Sequence, residues 1–203
     1  MTKPTSEMLQ SEILETWARC GGVEFVVAWN KLYRRELFFT PEHIRYPVGR
    51  LHEDEFTTYR LFYAAKSVIF VNAPLYHYVQ RGSSITANLG ERNLCDFAES
   101  IRGYIPWAEK YASGKRKVME YMTMRNILGI VILNYENQHF KHGQEICGSL
   151  RKHVEKYVRN YMRNPYASWK DKVKYLLFSL GVFETAMQCV KLLNACKKVK
   201  SGL

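Results

Sequence analysis

Aspartate is scarce in this chain, since only Asp54, Asp96 and Asp171 occur in 203 residues. These three residues stand far apart, so the sequence contains no Asp-x-Asp pair. Closely spaced carboxylates are a common way to hold a divalent cation, because hard cations prefer oxygen ligands. The sequence therefore excludes a metal site of the Asp-x-Asp type within these 203 residues.

Features of secreted and membrane-spanning proteins are scarce as well. The five cysteines are an odd number without a Cys-x-x-Cys pair, and no Asn-x-Ser/Thr sequon occurs. The start of the chain, from Met1 to Glu15, is polar and acidic and lacks the apolar core of a signal peptide. The longest apolar run, Tyr175 to Phe183, is far shorter than the roughly 20 residues needed to span a bilayer. These patterns predict a reduced, cytoplasmic chain.

Hydrophobic residues make up 47% of the chain and aromatic residues 14%, which is enough for a real core. Charge is distributed unevenly. Residues 1–109 carry 12 basic and 13 acidic side chains, whereas residues 110–203 carry 18 and 6. The first part therefore has a net charge of −1 and the second of +12, so the second part holds all of the basic excess and predicts an anionic partner, a membrane surface or a nucleic acid. No nucleic-acid-binding motif is recognisable, so we expect no nucleic-acid partner.

Secondary-structure patterns change near residue 90. Before this point the sequence predicts helices over 7–20 and from Asp54 to about 66, with strands over 23–28, 67–72 and 75–79. After it only helical patterns occur, over about 91–112, 115–137, 142–162 and 168–198. The sequence therefore predicts an α/β domain over 1–90 and an all-α region over 91–203.

The run from His52 to Glu55 places four ionisable side chains just before an amphipathic helical pattern. Acidic residues at the start of a helix are often a solvated cap. Asp54 could instead be a general base, which must offer a carboxylate to a substrate hydroxyl at hydrogen-bonding distance. The flanking Glu53 and Glu55 would oppose its ionisation by like-charge repulsion. The run by itself leaves both interpretations open.

Two further segments carry candidate side chains. His77 lies on a predicted strand between two tyrosines, where alternation places it on the face opposite to them, as a metal ligand or a structural residue. The aromatic and basic residues Trp29, Lys31 and Tyr33 could shape a sugar-binding surface, or they could be core and edge residues. Taken singly, none of them decides between the two interpretations.

A glycine-containing loop and a histidine pair complete the candidates. Arg81, Ser83 and Ser84 could hold phosphate oxygens through a guanidinium, two hydroxyls and backbone N–H groups, or they could form an ordinary turn. His139 and His142 have a spacing that is compatible with a metal, but no third ligand is near them in the sequence. We interpret this pair as a surface feature.

The last predicted helix, 168–198, has an apolar stripe with lysines clustered at its ends. Such a pattern is typical of a helix that packs on its neighbours with solvated lysines, and equally of an interfacial helix on an anionic membrane. The stripe contains Val173, Leu176, Leu177, Leu180, Phe183, Met187, Val190 and Leu193.

Three separated motifs, in order, resemble the second half of bacterial family 2 glycosyltransferases, which are inverting enzymes of the GT-A fold. They assemble capsule, lipopolysaccharide and teichoic-acid sugars. The resemblance covers about residues 20–88. Its motifs are Ala28-Trp29-Asn30-Lys31-Leu32-Tyr33-Arg34, Ile44-Arg45-Tyr46-Pro47-x-Gly49-Arg50-x-His52-Glu53-Asp54-Glu55-Phe56 and Leu75-Tyr76-His77-Tyr78-x-Gln80-Arg81-x-Ser83-Ser84-Ile85.

The resemblance implies a fold and an activity. The fold would be part of a GT-A (Rossmann-like) α/β domain, followed by the all-α region. The reaction would transfer a sugar from a nucleotide-sugar donor to a hydroxyl of a glycan or lipid-linked acceptor, with inversion. Asp54 matches the catalytic base and Glu53 the other member of the family's Glu-Asp pair. The complete enzymes use a divalent metal, Mn²⁺ or Mg²⁺.

The resemblance also implies roles for the remaining candidates. His77 matches a position near the metal, and Arg81 a position near the diphosphate. Ser83 and Ser84 lie in the same loop as Arg81. Trp29 and Lys31 lie in a segment that carries part of the acceptor pocket. The resemblance thus implies that a metal site, a diphosphate site and an acceptor pocket surround Asp54.

The chain departs from this family because the nucleotide-binding units and the Asp-x-Asp motif do not occur in it. We therefore expect the chain alone to be inactive, either as a truncated product or domain fragment or as half of a split enzyme that another polypeptide completes. Unpaired sheet edges would favour a homo-oligomer. The alternative is a non-catalytic scaffold that uses its basic half on an anionic membrane, which predicts a peripheral location on the inner face.

Overall fold

The computed structural model describes residues 6–79, 90–136 and 140–191. Within them the chain is mostly helical, with one small two-stranded sheet. By packing, the chain divides into two compact units, Met1–Thr123 and Met124–Leu203. The domain boundary that the sequence predicts near residue 90 lies where the secondary-structure pattern becomes purely helical. The packed first unit extends further, because Tyr104 and Trp107 lie against Tyr59.

The first unit contains both strands and the helices that surround the candidate site. Its elements are β1 (Ser6–Leu9), α1 (Gln10–Cys20), α2 (Val23–Val26), a 3-10 turn (Arg35–Phe39), α3 (Thr58–Ala64), β2 (Ser67–Phe70), α4 (Glu91–Arg102), α5 (Tyr104–Tyr111), a 3-10 turn (Ser113–Lys115) and the start of α6 (Arg116–Glu136).

Helix α1 confirms the periodicity of the N-terminal segment. Ile13, Leu14 and Trp17 recur at helical spacing and are buried. The helix ends at Gly21, whose φ of 66° lies in the left-handed region that glycine adopts without steric cost. The N–H of Gly21 donates to the carbonyl of Trp17 at 2.8 Å and completes the cap.

The sheet pairs the beginning of the chain with a segment some sixty residues later. Strands β1 and β2 are antiparallel, with Ser6 opposite Phe70 and Leu9 opposite Ser67. The N–H of Gln10 extends the ladder by donating to Lys66 at 3.1 Å. The predicted strand over 67–72 is confirmed at its core. The α-rich character fits the prediction, but the described residues do not show a Rossmann-like sheet specifically.

Two predicted strands are wrong. The pattern over 23–28 predicts a buried strand, but Val23–Val26 forms the single helical turn α2. A short apolar run does not by itself distinguish a strand from a buried helical turn, and here the ring of Phe25 stacks against Trp17 at 6.4 Å. Residues 75–79 form no strand ladder and are exposed. Of the predicted alternation, the structure shows only that the rings of Tyr76 and Tyr78 both stack on Trp29.

An aromatic core holds the first unit together. Trp17 is 1% exposed, stacks on Phe25 and meets Phe62 of α3 edge to face at 6.0 Å. One turn earlier on α3, Tyr59 contacts Tyr104 at 4.7 Å and Trp107 at 4.8 Å. Aromatic pairs of this kind add about 0.5–1.5 kcal/mol beyond the area that they bury. Helix α3 is therefore packed against both α1 and α5, which also fixes the turn that precedes it.

The second unit is helical in its described part. It contains the end of α6, then α7 (Gly143–Glu155), α8 (Val158–Met162), α9 (Trp169–Ser179) and α10 (Phe183–Lys191). The predicted helix over 168–198 is broken at Gly181, whose φ is 74°, so that α9 and α10 meet at 117°. The prediction beyond residue 191 lies outside the described residues. No single helix among the described residues has the length and apolarity to cross a membrane, and only the bent α9–α10 pair meets these criteria.

Candidate active site

The acidic run forms a tight turn that leads into α3. His52 has a φ of 56°, an uncommon value for a residue with a side chain, and its carbonyl accepts from Glu55 N–H at 3.0 Å. The carbonyl of Asp54 accepts from the N–H groups of Thr57 and Thr58 at 3.0 and 2.9 Å. Asp54 Oδ1 accepts from Glu55 N–H at 3.0 Å. The backbone therefore fixes the position of the Asp54 carboxylate, although the residue precedes the helix.

Tertiary structure gives the three consecutive acids three different environments. Glu53 is exposed, Asp54 is half-buried and Glu55 is only 8% exposed. The Glu55 carboxylate accepts a hydrogen bond from the hydroxyl of Tyr104, at the start of α5. Glu55 is therefore a buried structural group that ties the turn to α5, while Asp54 is accessible from solvent.

Removing the Tyr104 hydroxyl is expected to weaken this tie. In Tyr104→Phe the ring remains, but a buried carboxylate loses a donor, which typically costs about 1–3 kcal/mol. Chemical denaturation of the variant and of the wild-type chain measures the difference. Tyr111→Phe is the matched control, because Tyr111 is 43% exposed, and we expect no change beyond about 0.5 kcal/mol. Equal stability of both variants would contradict the structural role of Glu55.

Electrostatics distinguishes Asp54 from an ordinary surface aspartate. Burial and the repulsion of neighbouring Glu53 raise the pKa of Asp54 above its usual value, against the Glu55 N–H hydrogen bond and the attraction of His52. A carboxylate with a raised pKa holds a proton more strongly, which is what a general base requires, provided that it still ionises at the working pH. Burial and the charge of Glu53 thus distinguish Asp54 from a fully solvated helix cap.

Lys31 lies within electrostatic reach of Asp54. Burial lowers the pKa of Lys31 to about 8, while the attraction of Asp54 and Glu24 acts in the opposite sense. The ammonium donates to the carbonyls of Glu24 and Val27 at 2.7 and 2.6 Å, at the end of α2. It also donates to Asn30 Oδ1 at 2.8 Å. These bonds hold the Lys31 ammonium in place, and its charge interacts with that of Asp54.

Two tyrosines complete the surroundings of Asp54. The hydroxyl of Tyr46 donates to that of Tyr33 at 3.5 Å, and Thr58 of α3 interacts with both. Burial raises the pKa of Tyr33 and of Tyr46, and the negative charge of Asp54 adds to the effect on each. The hydroxyls of Tyr33 and Tyr46 are therefore neutral at ordinary pH, and both can form hydrogen bonds near Asp54.

The loop before the turn is anchored to α4. Asp96 of α4 is only 4% exposed, and it accepts from the Arg50 guanidinium at 2.8 Å and from Leu51 N–H at 3.0 Å. Burial alone would raise the pKa of Asp96, but these two donors lower it below its usual value. Asp96 therefore has a structural role and fixes the approach to the Asp54 turn.

Trp29, which the resemblance predicts to lie in the acceptor pocket, is part of a cluster of partly exposed rings. Its indole stacks on Tyr76 with centroids 4.5 Å apart and on Tyr78 at 5.0 Å. All three side chains are between 43% and 53% exposed. Flat aromatic surfaces that remain accessible suit the apolar face of a sugar ring, because they bury C–H groups without desolvating hydroxyls.

The structure does not assemble a metal site around His77. This residue is exposed between Tyr76 and Tyr78, and no group of three or more histidine, cysteine, aspartate or glutamate side chains in the described ranges could hold a metal ion. The side chains in these described ranges therefore do not fit a divalent-ion site. The diphosphate candidates Arg81, Ser83 and Ser84 lie outside the described residues.

The structure thus stacks Tyr76 on Trp29 and lets the charge of Asp54 act on Lys31, and it leaves Glu53 at the surface. Sequence reasoning missed the hydroxyl pair of Tyr33 and Tyr46. Both residues belong to the quoted motifs. No local periodicity indicates that two side chains thirteen positions apart come together beside Thr58 of α3.

Over part of its length, the chain is similar to glycosyltransferases. EpsH of Bacillus subtilis, provisionally named a glycosyltransferase, is 43% identical over 94 residues, covering 40% of this chain and 27% of the relative. The glycosyltransferase GlyA of Streptococcus pneumoniae serotype 4 is 36% identical over 59 residues, covering 29% of this chain and 8% of the relative. The chain thus spans about a quarter or less of these curated relatives. No family model matches the chain, and neither does a solved structure.

These similarities support the predicted resemblance at the level of a glycosyltransferase. Assignment to family 2 and the GT-A fold stays a prediction.

Proposed function

We propose that this chain carries the catalytic base of an inverting glycosyltransferase. The observation that carries the proposal is the half-buried Asp54, held by backbone hydrogen bonds, with a raised pKa and a cation nearby. The Asp54 carboxylate removes the proton of an acceptor hydroxyl. The acceptor oxygen then bonds to the anomeric carbon, and the bond from that carbon to the nucleoside diphosphate breaks on the opposite face.

The neighbours of Asp54 have supporting roles in this proposal. Glu53 repels the carboxylate charge and so helps to raise the pKa of the base. Trp29 and Lys31 form the acceptor side, where the exposed rings bind a glycan or the sugar of a lipid-linked acceptor. The family's divalent ion would neutralise the leaving diphosphate. Since the described residues do not fit such an ion, the part played by His77 depends on groups outside them.

The donor side is proposed to be shared. Arg81, Ser83 and Ser84 would contact the diphosphate of the nucleotide sugar, as the resemblance implies. The nucleoside and the metal would be held by residues outside these 203, in the nucleotide-binding half of such an enzyme. Transfer of a sugar to a glycan or to a lipid-linked acceptor fits a role in polysaccharide assembly, including the assembly of capsule or lipopolysaccharide sugars.

A transfer assay tests the proposal. The purified chain is incubated with radiolabelled nucleotide sugars, alone and with the nucleotide-binding half of a homologous glycosyltransferase added as a separate polypeptide. We expect turnover in the mixture and none from the chain alone. Turnover that Asp54→Asn leaves unchanged would refute the role of Asp54. A mixture inactive with every donor would contradict glycosyl transfer.

A second candidate function is binding to an anionic membrane surface. One observation favours it: Trp169, Val173, Leu176 and Leu180 follow one another at helical spacing, and they are 70%, 47%, 41% and 66% exposed. Lys170 and Lys174 lie beside this stripe and are exposed as well. An outward apolar stripe flanked by lysines is typical of a helix that lies in the interface of an anionic bilayer.

Charged substitutions in the stripe are expected to reduce vesicle binding. The double variant Leu176→Glu/Leu180→Glu removes apolar burial and adds repulsion from anionic lipid, which should weaken binding at least tenfold. Flotation with phosphatidylglycerol vesicles measures the change. Val48→Glu is the matched control, since Val48 is fully exposed in the first unit. Binding to DNA without any binding to vesicles would contradict this function.

A further inference from the structure

A cleft in the first unit lies beside the Asp54 turn but does not include Asp54. Its volume is about 350 Å³. It opens between the segment around Arg45, the beginning of α3 and the junction of α4 with α5. The lining residues are Arg45, Pro47, Phe56, Tyr59, Arg60, Glu99, Ser100, Arg102 and Gly103.

The lining of this cleft contains three arginines, of which two have carboxylate partners. Arg102 pairs with Glu99 at 3.3 Å. Arg60 donates through Nε to Glu42, outside the lining, and Glu42 also accepts from Trp107 Nε1 at 2.9 Å. Within the described residues the two terminal nitrogens of Arg60 make no hydrogen bond. The charge of Arg60 is therefore paired with Glu42 and its orientation is fixed, while its terminal nitrogens can still donate.

Arg45 is held by neutral partners. Its Nη1 donates to the carbonyls of Phe38 and Ile44, the latter at 2.7 Å, and its guanidinium lies 4.9 Å from the ring centroid of Phe39. No carboxylate in the described part of the chain pairs with Arg45. Its positive charge is thus uncompensated and is oriented before any ligand arrives.

We propose that this cleft binds the phosphate group of a phosphorylated ligand. Oriented guanidinium groups match phosphate oxygens bidentately and keep their charge at every physiological pH. Pro47 and Phe56 give the cleft an apolar wall for the group that carries the phosphate. The inference stands on this geometry and does not depend on the role of Asp54. Its test is a binding measurement that requires no turnover.

Isothermal titration of the full chain at low salt tests the proposal, with inorganic pyrophosphate as the probe. We expect saturable one-to-one binding that Arg45→Gln weakens about tenfold, the usual effect of losing one charge-assisted hydrogen bond. Arg102→Gln is the second variant and should also weaken binding. Arg34→Gln is the matched control, because Arg34 is an exposed arginine outside the cleft and should bind as the wild type does.

Two further titrations distinguish the sources of the phosphate. Uridine diphosphate binding more tightly than pyrophosphate would indicate a nucleotide, whereas farnesyl phosphate binding more tightly would indicate a phosphorylated lipid. Tighter binding of either compound supports the proposed phosphate site, provided that Arg45→Gln weakens that binding. No saturable heat with pyrophosphate would overturn the proposal. Equal weakening by Arg34→Gln and Arg45→Gln would also overturn it, because it would show attraction to net charge alone.

Discussion

Asp54→Asn is expected to lower the rate of glycosyl transfer in the complemented assay by about 10²–10⁴-fold, the usual contribution of a positioned general base. Asparagine has nearly the same shape and can still accept from Glu55 N–H through its amide oxygen, so the turn is preserved. It cannot take up the proton of the acceptor hydroxyl. The loss should therefore appear in kcat, with a smaller effect on the KM of the acceptor.

The matched control is Asp171→Asn, the same substitution in the first turn of α9. The carboxylate of Asp171 accepts from Ser168 N–H at 3.0 Å, and an asparagine oxygen can replace it there. We expect transfer to stay within about twofold of the wild type, as for a surface substitution. If both aspartate variants lose the same activity, the effect belongs to general destabilisation and Asp54 is not the base.

The same Asp54→Asn variant is expected to stabilise the fold at neutral pH. Because the pKa of Asp54 is raised in the folded chain, its ionised form opposes folding once the pH exceeds that pKa. An asparagine side chain carries no such charge, so the variant should gain at pH 7, by no more than about 1 kcal/mol for a half-exposed group. The gain should vanish below the ordinary pKa of 3.8, where the carboxyl is neutral in both the folded and the unfolded chain. Urea unfolding at pH 7 and pH 3.5 measures both values.

Trp17→Ala is expected to have the largest effect on stability, lowering the free energy of unfolding by about 3–5 kcal/mol. The indole is 1% exposed and contacts the rings of Phe25 and Phe62, so its removal leaves a large cavity where α1, α2 and α3 meet. Chemical denaturation followed by circular dichroism measures the loss. Because Phe62 belongs to the helix that follows the Asp54 turn, transfer activity should fall at a lower temperature as well.

Trp169→Ala provides the same change of side chain at a position that is 70% exposed. Its effect on the free energy of unfolding should stay within about 0.5 kcal/mol, as for other surface substitutions. The comparison separates the loss of a buried indole from the loss of tryptophan as such. Similar losses in the two variants would show that the core around Trp17 is not the main source of stability in the first unit.

Local patterns predict the elements that local forces decide. The apolar spacing of helix α1 and its end at a glycine are both confirmed. The first residues of the predicted helix, however, belong to strand β1. The strand before residue 72 is confirmed as β2, but its antiparallel partner β1 lies at the beginning of the chain. The prediction for residues 23–28 is wrong because a short apolar run is compatible with either structure until its neighbours are known.

The candidate site was only partly accessible to sequence reasoning. The resemblance selected Asp54 from three consecutive acids, and the raised pKa fits that choice. Nothing in the local sequence shows that Glu55 turns inward to Tyr104 or that Lys31 lies near Asp54. These contacts join segments that are some twenty to fifty positions apart, and such pairings depend on how the helices pack.

By itself, the sequence determined the composition of the core, the helical pattern after residue 90, the excess of positive charge in the second part and the motifs that resemble glycosyltransferases. Only the tertiary structure decided which acid is buried, which is exposed and which lies half-buried beside a lysine. The reason is physical. Identical side-chain types differ in pKa and accessibility only through desolvation and neighbouring charges, and these arise when distant segments come together.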